Sequence, residues 1–217
     1  MTQPFKEALQ QGAQTLGLSL NDTQIAQLLG YHALIQKWNK VYNLTAIRDP
    51  AEMLTHHLLD SLAIVAPLFR QIRQTSGSAV SMLDVGAGAG LPGVVIAICC
   101  PDIHVTCVDA VAKKMAFVQQ VATELKLPNL KALHARVETL TDKYDIITSR
   151  AFATLLDFVT GSRAALKPAT GVWLAMKAKD TAAEVAELPT DVAVFHVEQL
   201  VVPGLDAQRC IVWMRAS

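Results

Sequence analysis

The chain has 217 residues, with 19 basic and 19 acidic side chains and therefore a formal net charge of zero. A neutral chain does not bind nucleic acid through its overall charge, so any basic surface has to be local. At this length roughly 70% of the unfolded surface can be buried, so the core does not depend on metals or disulfides. We expect no metal site.

The cysteines and the N-terminal residues predict a soluble, cytoplasmic protein. The four cysteines, Cys99, Cys100, Cys107 and Cys210, lie in apolar runs and have no C-x-x-C spacing. We therefore expect buried thiols in a reducing compartment, not zinc ligands or a redox pair. The N-terminus is polar and lacks the apolar core of a signal peptide. No apolar run approaches the roughly 20 residues that a membrane span requires.

The first part of the chain has the apolar spacing of helices. Residues 5–13 repeat at helical spacing, and Ser19 to Thr23 has the composition of a helix start. The helix that follows carries one apolar stripe, made of Tyr31, Leu34, Ile35, Trp38 and Tyr42. This period of about 3.6 residues predicts an amphipathic helix with one buried face.

A further helix start lies at Asp49. Asp49 is predicted as the N-cap, Pro50 as the first helical residue and Glu52 as the third. The buried stripe predicted for this helix consists of Met53, Leu54, His57, Leu58, Leu62 and Val65. His56, His57, Asp60 and Ser61 lie too close together on one helix to form a catalytic triad, and no nucleophile elbow is present. We interpret His57 as a hydrogen-bonded core histidine and expect His56 and Asp60 to pair on the helix surface.

A polar segment over 70–78 predicts a boundary between an N-terminal helical region, 1–78, and a second domain, 79–217. The N-terminal region carries a modest basic set, which consists of Lys37, Lys40, Arg48 and His56. Such a set is either an ordinary solvated face or a surface that contacts phosphates and helps to position RNA. The sequence favours neither alternative.

Beyond the boundary, strand and helix patterns alternate. Strands are predicted near 80–85, 104–109, 130–134, 144–149, 171–177, 192–202 and 209–215, and helices near 92–100, 112–126, 154–167 and 180–187. This alternation predicts an α/β fold with a doubly wound, mainly parallel seven-stranded sheet. The last two strands have no helix between them, so we expect an antiparallel hairpin there.

A glycine turn links the first strand to the helix that follows it. The stretch Val80 to Gly93 reads VSMLDVGAGAGLPG, with glycines at 86, 88, 90 and 93. Glycine permits positive φ and lets a ligand approach the backbone. Pro92 is predicted at the first helical position, and the free N–H groups of that turn are expected to face a ligand. The pattern predicts a site for a nucleotide-like cofactor.

Asp84 favours one cofactor over another. Gly88, Gly90 and Gly93 also satisfy G-x-G-x-x-G, the dinucleotide fingerprint, but that pattern alone is weak evidence. A carboxylate at Asp84, two residues before the first glycine, repels a pyrophosphate and suits a cationic group. S-adenosylmethionine carries a sulfonium and an ammonium and no phosphate, so it is favoured. A nicotinamide dinucleotide and a turn without a ligand are the alternatives.

Two later strand ends offer groups to an adenosine. Asp109 ends the second strand, where its carboxylate can accept both ribose hydroxyls or cap the following helix, or do both. Arg136, Val137 and Glu138 follow the third strand, where an adenine edge can meet a backbone N–H and an acidic side chain. The alternative for this second group is an ordinary solvated loop.

The end of the fourth strand, near Arg150 and Phe152, is where a methyl group would meet its acceptor. The sequence has no Asn/Asp-Pro-Pro-aromatic element for an exocyclic amine and no Pro-Cys nucleophile for a pyrimidine. Arg150 and Phe152 offer a hydrogen-bonding fork and a stacking face, and are candidates for positioning the acceptor. Core packing for Phe152 and a surface ion pair for Arg150 are the alternatives. An acceptor that needs no base, such as a ring nitrogen with a free lone pair, fits this end.

Several motifs in this order resemble one family. They are KWNK at 37–40, YNLT at 42–45, HLLDSL at 57–62, LDVGAGAGLPG at 83–93 and SRAF at 149–152. Together they resemble the bacterial small-subunit ribosomal RNA guanine-N7 methyltransferases, also called glucose-inhibited division protein B, over nearly the whole chain. The resemblance implies a class I S-adenosylmethionine-dependent fold and methylation of guanine N7 at position 527, in the 530 loop of 16S ribosomal RNA.

The resemblance also implies site residues and a partner. The positions that match the family's cofactor contacts are Gly86, Leu91, Val137, Glu138 and Arg150. The partner is the 16S RNA of the small ribosomal subunit, and we expect a monomer. Two other hypotheses stay open, a methyltransferase that acts on a small molecule or a protein, and a non-catalytic cofactor-binding module that docks on a ribosomal partner. A nicotinamide-dependent reductase is a third, which Asp84 argues against.

Overall fold

The computed structural model describes residues 3–72, 79–151, 154–178 and 181–217. Its α-helices are α1 (Gln3–Thr15), α2 (Asp22–Tyr42), α3 (Pro50–Met53), α4 (Asp60–Leu62), α5 (Val65–Ile72), α6 (Gly93–Cys99), α7 (Ala112–Glu124), α8 (Leu155–Ser162) and α9 (Ala182–Ala186). Its strands are β1 (Val80–Val85), β2 (Ile103–Asp109), β3 (Leu130–His134), β4 (Ile146–Arg150), β5 (Val172–Lys177), β6 (Val192–Leu200) and β7 (Arg209–Ala216). All seven predicted strands are confirmed, with ends that differ by two residues or fewer.

Local capping chemistry fixes where the N-terminal helices begin. The Asn21 side chain accepts a hydrogen bond from the Gln24 N–H, and the Gln24 side chain accepts one from the Asn21 N–H. This reciprocal pair satisfies two donors that α2 would otherwise leave unpaired. Asp49 caps α3 in the predicted way, because its Oδ1 accepts from the N–H groups of Ala51 and Glu52.

A π-helical segment, Leu54–Leu59, separates α3 from α4. The predicted buried stripe of this helix is confirmed, since all six of its members are buried. The wider turn was not predicted, and burial gives the reason. Only Thr55 and His56 of this segment are partly exposed, so its solvent face is too short for polar spacing to reveal a different period. Segments of this kind are frequent at functional sites.

The strands form one sheet in the order β3-β2-β1-β4-β5-β7-β6. Strands β1 to β5 are parallel, whereas β7 runs antiparallel to both β5 and β6, so the predicted terminal hairpin is confirmed. The chain order reverses between β1 and β4. In doubly wound sheets the ligand crevice lies at the carboxyl ends of the strands beside such a reversal.

The N-terminal helices share a core with one face of the sheet. Tyr31 on α2 stacks near Phe117 on α7, with ring centroids 6.4 Å apart, and both side chains are fully buried. The other face is covered by α8, where Trp173 of β5 donates from its indole nitrogen to the Ser162 hydroxyl at 2.9 Å. The predicted division at 78 falls at the end of 73–78, outside the described residues, and stays a prediction.

All four cysteines are buried, as predicted, and in the part of the chain that the structure describes they form no disulfide with one another. Within the described parts of the chain, no helix combines the length and the apolar character that crossing a bilayer requires.

Candidate functional site

The glycine turn after β1 has the conformation that its sequence predicts. Gly86, Gly88 and Gly90 have positive φ values of 64°, 60° and 91°. The turn is closed by internal hydrogen bonds from the Gly90 and Leu91 N–H groups to the Ala87 carbonyl, at 2.7 and 3.0 Å. A Cβ built on Gly88 finds no atom closer than the Gly86 carbonyl oxygen at 3.9 Å. One side of the turn therefore has room for a ligand against the backbone.

The first two N–H groups of α6 are bonded within the protein, whereas we expected free N–H groups in this turn. The Gly93 N–H donates to Asp84 Oδ2 at 2.8 Å, and the Val94 N–H donates to the Gly90 carbonyl at 2.8 Å. Pro92 is the N-cap residue, so Gly93 is the first helical residue and the predicted position of Pro92 is wrong by one. These two N–H groups therefore stabilise the glycine turn and are not available to a ligand.

Asp84 lies beneath the glycine turn and is 0% exposed. Its Oδ2 bonds to Gly93, and among the described residues its buried Oδ1 has no hydrogen-bond partner. Burial raises the pKa of this carboxyl to about 7, although the hydrogen bond from Gly93 and the charge of Arg150 act in the opposite direction. The position gives Asp84 a role in shaping the turn, and direct contact with a cofactor stays a prediction.

A cavity of about 220 Å³ opens at the carboxyl ends of β1 and β2, and we call it the carboxylate pocket. Its lining residues are Val85, Gly86, Val108, Asp109, Ala110, Ala135, Arg136, Val137 and Glu138. Four of the predicted cofactor residues, Gly86, Asp109, Val137 and Glu138, therefore lie in one cavity. The predicted residues Gly88, Gly90 and Leu91 belong to the turn beside it, where Gly90 and Leu91 are buried.

Asp109 supports both the turn and the helix that follows β2. Its Oδ2 accepts from the Gly88 N–H at 3.0 Å, and its Oδ1 accepts from the Val111 N–H at 2.8 Å, just before α7. Lys114 Nζ lies 3.7 Å from Oδ2. A carboxylate offers about four acceptor positions, so two hydrogen bonds leave capacity for the two hydroxyls of a ribose. The helix-start role is observed, and the ribose role is compatible with it.

A second cavity, of about 470 Å³, lies at the carboxyl ends of β4 and β5 and the start of β7. We call it the arginine pocket, and its lining residues are Ile47, His56, His57, Asp60, Arg150, Ala151, Met176, Lys177, Ala178, Glu184 and Arg209. Because β1 and β4 are neighbouring strands, the two pockets lie at adjacent strand ends of the same sheet edge.

Arg150 forms an ion pair, which is the alternative given for it above, but the partner is buried. Its Nη1 donates to Asp60 Oδ2 at 2.9 Å and to the His56 carbonyl at 2.7 Å. Asp60 also accepts from Arg209 Nε at 2.9 Å. The predicted surface pair of His56 with Asp60 is therefore wrong, because the Asp60 carboxylate is buried between two arginines. The cofactor role of Arg150 stays a prediction, and Phe152 lies outside the described residues.

His57 is a buried, hydrogen-bonded histidine, as predicted. Its Nε2 lies 2.9 Å from the Thr45 hydroxyl oxygen. Burial, together with the charge of Arg150, lowers the pKa of this imidazole to about 4. The ring is therefore neutral near pH 7 and adds no charge to the arginine pocket.

The predicted RNA-contacting set is divided between two places. Lys37 and Lys40 are exposed towards the end of α2, and Arg48 is exposed in the loop before α3. None of these three lines either pocket among the described residues. His56 is half-buried in the arginine pocket, with its carbonyl bonded to Arg150.

Three residues of this region were not predicted as site residues. Tyr31 was assigned only to an apolar stripe, but its hydroxyl donates to the Ala89 carbonyl in the glycine turn at 2.6 Å. Asp60 and Arg209 are 149 residues apart in the chain and meet only in the folded protein. Two signals were available in the sequence. One is the hydroxyl group of Tyr31 on an otherwise apolar helix face, and the other is the acidic side chain of Asp60 within an apolar run.

Comparisons with known proteins identify the family and the fold of this chain. A family model described as GidB, rRNA small subunit methyltransferase G, matches residues 24–212. A ribosomal RNA small subunit methyltransferase G from Albidiferax ferrireducens is 65% identical over 220 residues, with 98% of each chain covered. One from Polaromonas sp. is 63% identical over 213 residues, with 98% of this chain and 94% of that protein covered. A solved magnesium protoporphyrin IX methyltransferase from Synechocystis, with bound SAM, has the same fold, with a TM-score of 0.61 and 13% identity over 91% of this chain and 99% of that chain.

Proposed function

The chain belongs to the GidB family, rRNA small subunit methyltransferase G, and we propose that it transfers a methyl group from S-adenosylmethionine to N7 of a guanine in 16S ribosomal RNA. It has the class I methyltransferase fold, with a seven-stranded sheet and helices before and between the strands. The observation that carries the proposal is the carboxylate pocket beside the glycine turn.

The residues present fit this cofactor. Asp109 has acceptor capacity for the ribose hydroxyls, and Glu138 adds a second carboxylate to the same cavity. The open side of Gly88 lets a ligand approach the backbone. A pyrophosphate fits poorly here, because two carboxylates line the cavity against one cation, Arg136, and the N–H groups of Gly93 and Val94 are already bonded within the protein. This donor set supports S-adenosylmethionine over a dinucleotide.

We assign roles in holding the cofactor to residues at three strand ends. Asp109 would bind the ribose, and Val137 and Glu138 would bind the adenine edge. Backbone atoms of the glycine turn would lie against the rest of the molecule. When bound, the cofactor supplies an electrophilic methyl group on a sulfonium.

The chain does not need a general base for this reaction. Guanine N7 carries no proton at neutral pH, so the residues have to align the acceptor and shape the local field. Arg150 and Arg209 lie in the arginine pocket, at the strand ends next to the carboxylate pocket. We therefore propose that the target nucleotide enters through the arginine pocket.

The position of N7 restricts the RNA structure that can be a substrate. N7 is on the major-groove edge of guanine, and the major groove of A-form RNA is deep and narrow. The target guanine therefore has to lie in a loop or be exposed by local opening. A loop of 16S RNA satisfies this condition.

The role of the N-terminal region, the cellular location and the oligomeric state are also proposals. We propose that the N-terminal helical region helps to position the RNA, and the exposed side chains of Lys37, Lys40 and Arg48 support this. We also propose a cytoplasmic protein that acts as a monomer of 23.4 kDa, which light scattering would measure.

Methyl transfer from labelled cofactor tests the proposal. The protein is incubated with tritiated S-adenosylmethionine and small ribosomal subunits that lack the modification, and RNA and protein fractions are then counted separately. We expect label in 16S RNA. Label only in ribosomal proteins, or none above a sample with heat-denatured enzyme, would contradict the proposed substrate.

A further inference from the structure

Two arginines from distant parts of the chain share one buried carboxylate in the arginine pocket. Arg150, at the end of β4, donates to Asp60 Oδ2, and Arg209, at the start of β7, donates to Asp60 Oδ1, both at 2.9 Å. The Asp60 residue is 3% exposed, whereas the arginine side chains are 18% and 19% exposed. The carboxylate is thus inside the protein, and both guanidinium groups reach the pocket.

The charges that line this pocket do not balance. Lys177 is paired with Glu184, with Nζ and Oε2 2.7 Å apart. Asp60 compensates one of the two guanidinium charges, and no further carboxylate lines the cavity among the described residues. Among the described residues, three cations and two anions leave one positive charge in a half-buried pocket of a chain whose formal net charge is zero. An anionic ligand would compensate that charge.

Each guanidinium also has donors left for a ligand. Arg150 uses the two donors of Nη1, for Asp60 and the His56 carbonyl. Arg209 uses Nε for Asp60 and one donor of Nη1 for the Gln208 carbonyl. A guanidinium has five N–H donors, so within the described residues three remain on each. Paired donors on a planar fork match the oxygens of a phosphate.

We propose that the arginine pocket is a phosphodiester subsite, in which Arg150 and Arg209 bind one backbone phosphate of the RNA beside the methylated guanine. The three donors that remain on Arg150 also allow the cofactor contact that the family resemblance implies for it. Asp60 acts as a positioning residue that holds both guanidinium groups at fixed places. The inference rests on the proposed function in one respect, since it takes RNA as the substrate.

The π-helical segment makes this arrangement rigid before RNA binds. Asp60 directly follows the segment, and its backbone N–H is bonded to the carbonyls of His57 and Thr55. The His56 carbonyl in the same segment accepts from Arg150, so one stretch of backbone orients this arginine through two contacts. Groups that are already in place lose less conformational entropy when they bind a ligand.

Salt dependence of RNA binding tests the subsite directly. A fluorescein-labelled 16S RNA fragment that spans the 530 loop is titrated with protein at several salt concentrations, and anisotropy gives the affinity. Each phosphate contact contributes about 0.7 to 0.9 to the slope of log affinity against log salt. We expect Arg209→Gln to lower the slope by about that amount and Arg209→Lys to restore it.

Arg163→Gln is the matched control. Arg163 pairs with Asp191 at 2.6 Å, and its side chain is 41% exposed. It lies before β5, on the side of the amino-terminal strand ends, whereas the arginine pocket lies at the carboxyl ends. Its loss removes the same formal charge without touching the pocket, so the slope should not change. Asp60→Asn should not lower the salt slope, because both guanidinium charges remain and neither is compensated, but it should lower kcat/KM for methyl transfer at least tenfold since the arginines lose their orientation. Thermal unfolding checks that each variant is folded.

The outcomes separate this inference from the proposed function. An unchanged slope in folded Arg209→Gln, with methylation by the natural protein intact, overturns the subsite and leaves the proposed function standing. A lowered slope without methylation by the natural protein supports the subsite and refutes the proposed function. If the natural protein does not bind the fragment, the subsite is wrong. If Arg209→Gln weakens S-adenosylmethionine binding in calorimetry and leaves the slope unchanged, the pocket holds the cofactor's carboxylate and the proposal fails.

Discussion

The Tyr31 hydroxyl lies 2.6 Å from the Ala89 carbonyl oxygen, so a helix of the N-terminal region is hydrogen-bonded to the glycine turn. Tyr31 has no exposed surface, and its ring packs near Phe117. A Cβ on Gly90 would lie 3.5 Å from the same hydroxyl. The contact places α2 directly behind the glycine turn and links the conformation of the turn to the packing of α2.

Tyr31→Phe tests this link. The variant keeps the ring but leaves the buried Ala89 carbonyl without its donor, which costs roughly 1–3 kcal/mol of unfolding free energy. We expect weaker binding of S-adenosylmethionine as well, because the turn loses a fixed point. Urea unfolding and calorimetry measure the two effects. Tyr42→Phe, at an exposed ring on the same helix, is the control and should change neither.

Gly93→Ala should destabilise the start of α6. A Cβ at this position would lie 2.5 Å from Cys107 Sγ and 2.8 Å from Asp84 Oδ2, and both of these residues are buried. Overpacking of this kind costs about 1–3 kcal/mol. Gly161→Ala, in α8, provides the contrast, since its nearest neighbour is Glu138 Oε1 at 3.4 Å. Equal unfolding free energies for the two variants would show that the Asp84–Gly93 contact does not restrict this position.

Asp84 makes stability depend on pH. Burial raises the pKa of its carboxyl from 3.8 to about 7, so the unfolded chain loses this proton at a lower pH than the folded protein. The group therefore lowers the free energy of unfolding as pH rises from about 4 to about 7, and the penalty is complete above 7.

Asp84→Asn keeps an acceptor for the Gly93 N–H and does not titrate. We expect this variant to gain stability relative to the natural protein as pH is raised from 4 to 8, by on the order of 3 kcal/mol. Chemical unfolding of both proteins at each pH gives the difference, in which contributions from other groups such as His57 cancel. A difference that stays constant over this range would mean that folding does not raise the pKa of Asp84.

Asp109→Ala should weaken cofactor binding about tenfold or more. The substitution removes the proposed ribose acceptor and also the partner of the Gly88 and Val111 N–H groups. Hydrogen bonds to a charged group contribute about 1.5–3 kcal/mol. Calorimetric titration with S-adenosylmethionine measures the change, and Asp102→Ala, at an exposed position before β2, is the control. Unchanged affinity in a folded Asp109→Ala variant would remove Asp109 from the site.

Strand ends, helix starts and the carboxylate pocket could be predicted because they depend on local patterns. Asp49 caps its helix through residues two and three positions away, and Asp109 is the last residue of β2. Parallel strands bring their carboxyl ends to one edge, so Gly86, Val137 and Glu138 could be grouped with Asp109 from topology alone.

The arginine pocket could not be predicted in the same way. Asp60 lies within an apolar run, and periodicity does not reveal that its partners are Arg150 and Arg209, 90 and 149 residues away. Asp84 illustrates a second limit. Its position before the glycines suggested contact with a cation, whereas the fold buries it against Gly93, and this burial depends on how α6 packs on β1 and β2.

The site of methylation on the RNA tests the central claim most directly. Small subunits that lack the modification are treated with the protein and S-adenosylmethionine, and the extracted 16S RNA is cleaved with borohydride and aniline, which act at N7-methylguanine. Primer extension then maps the break, with a reaction without cofactor as control. We predict one new cleavage at a guanine of the 530 loop. Methyl label in 16S RNA without any new cleavage would contradict transfer to guanine N7.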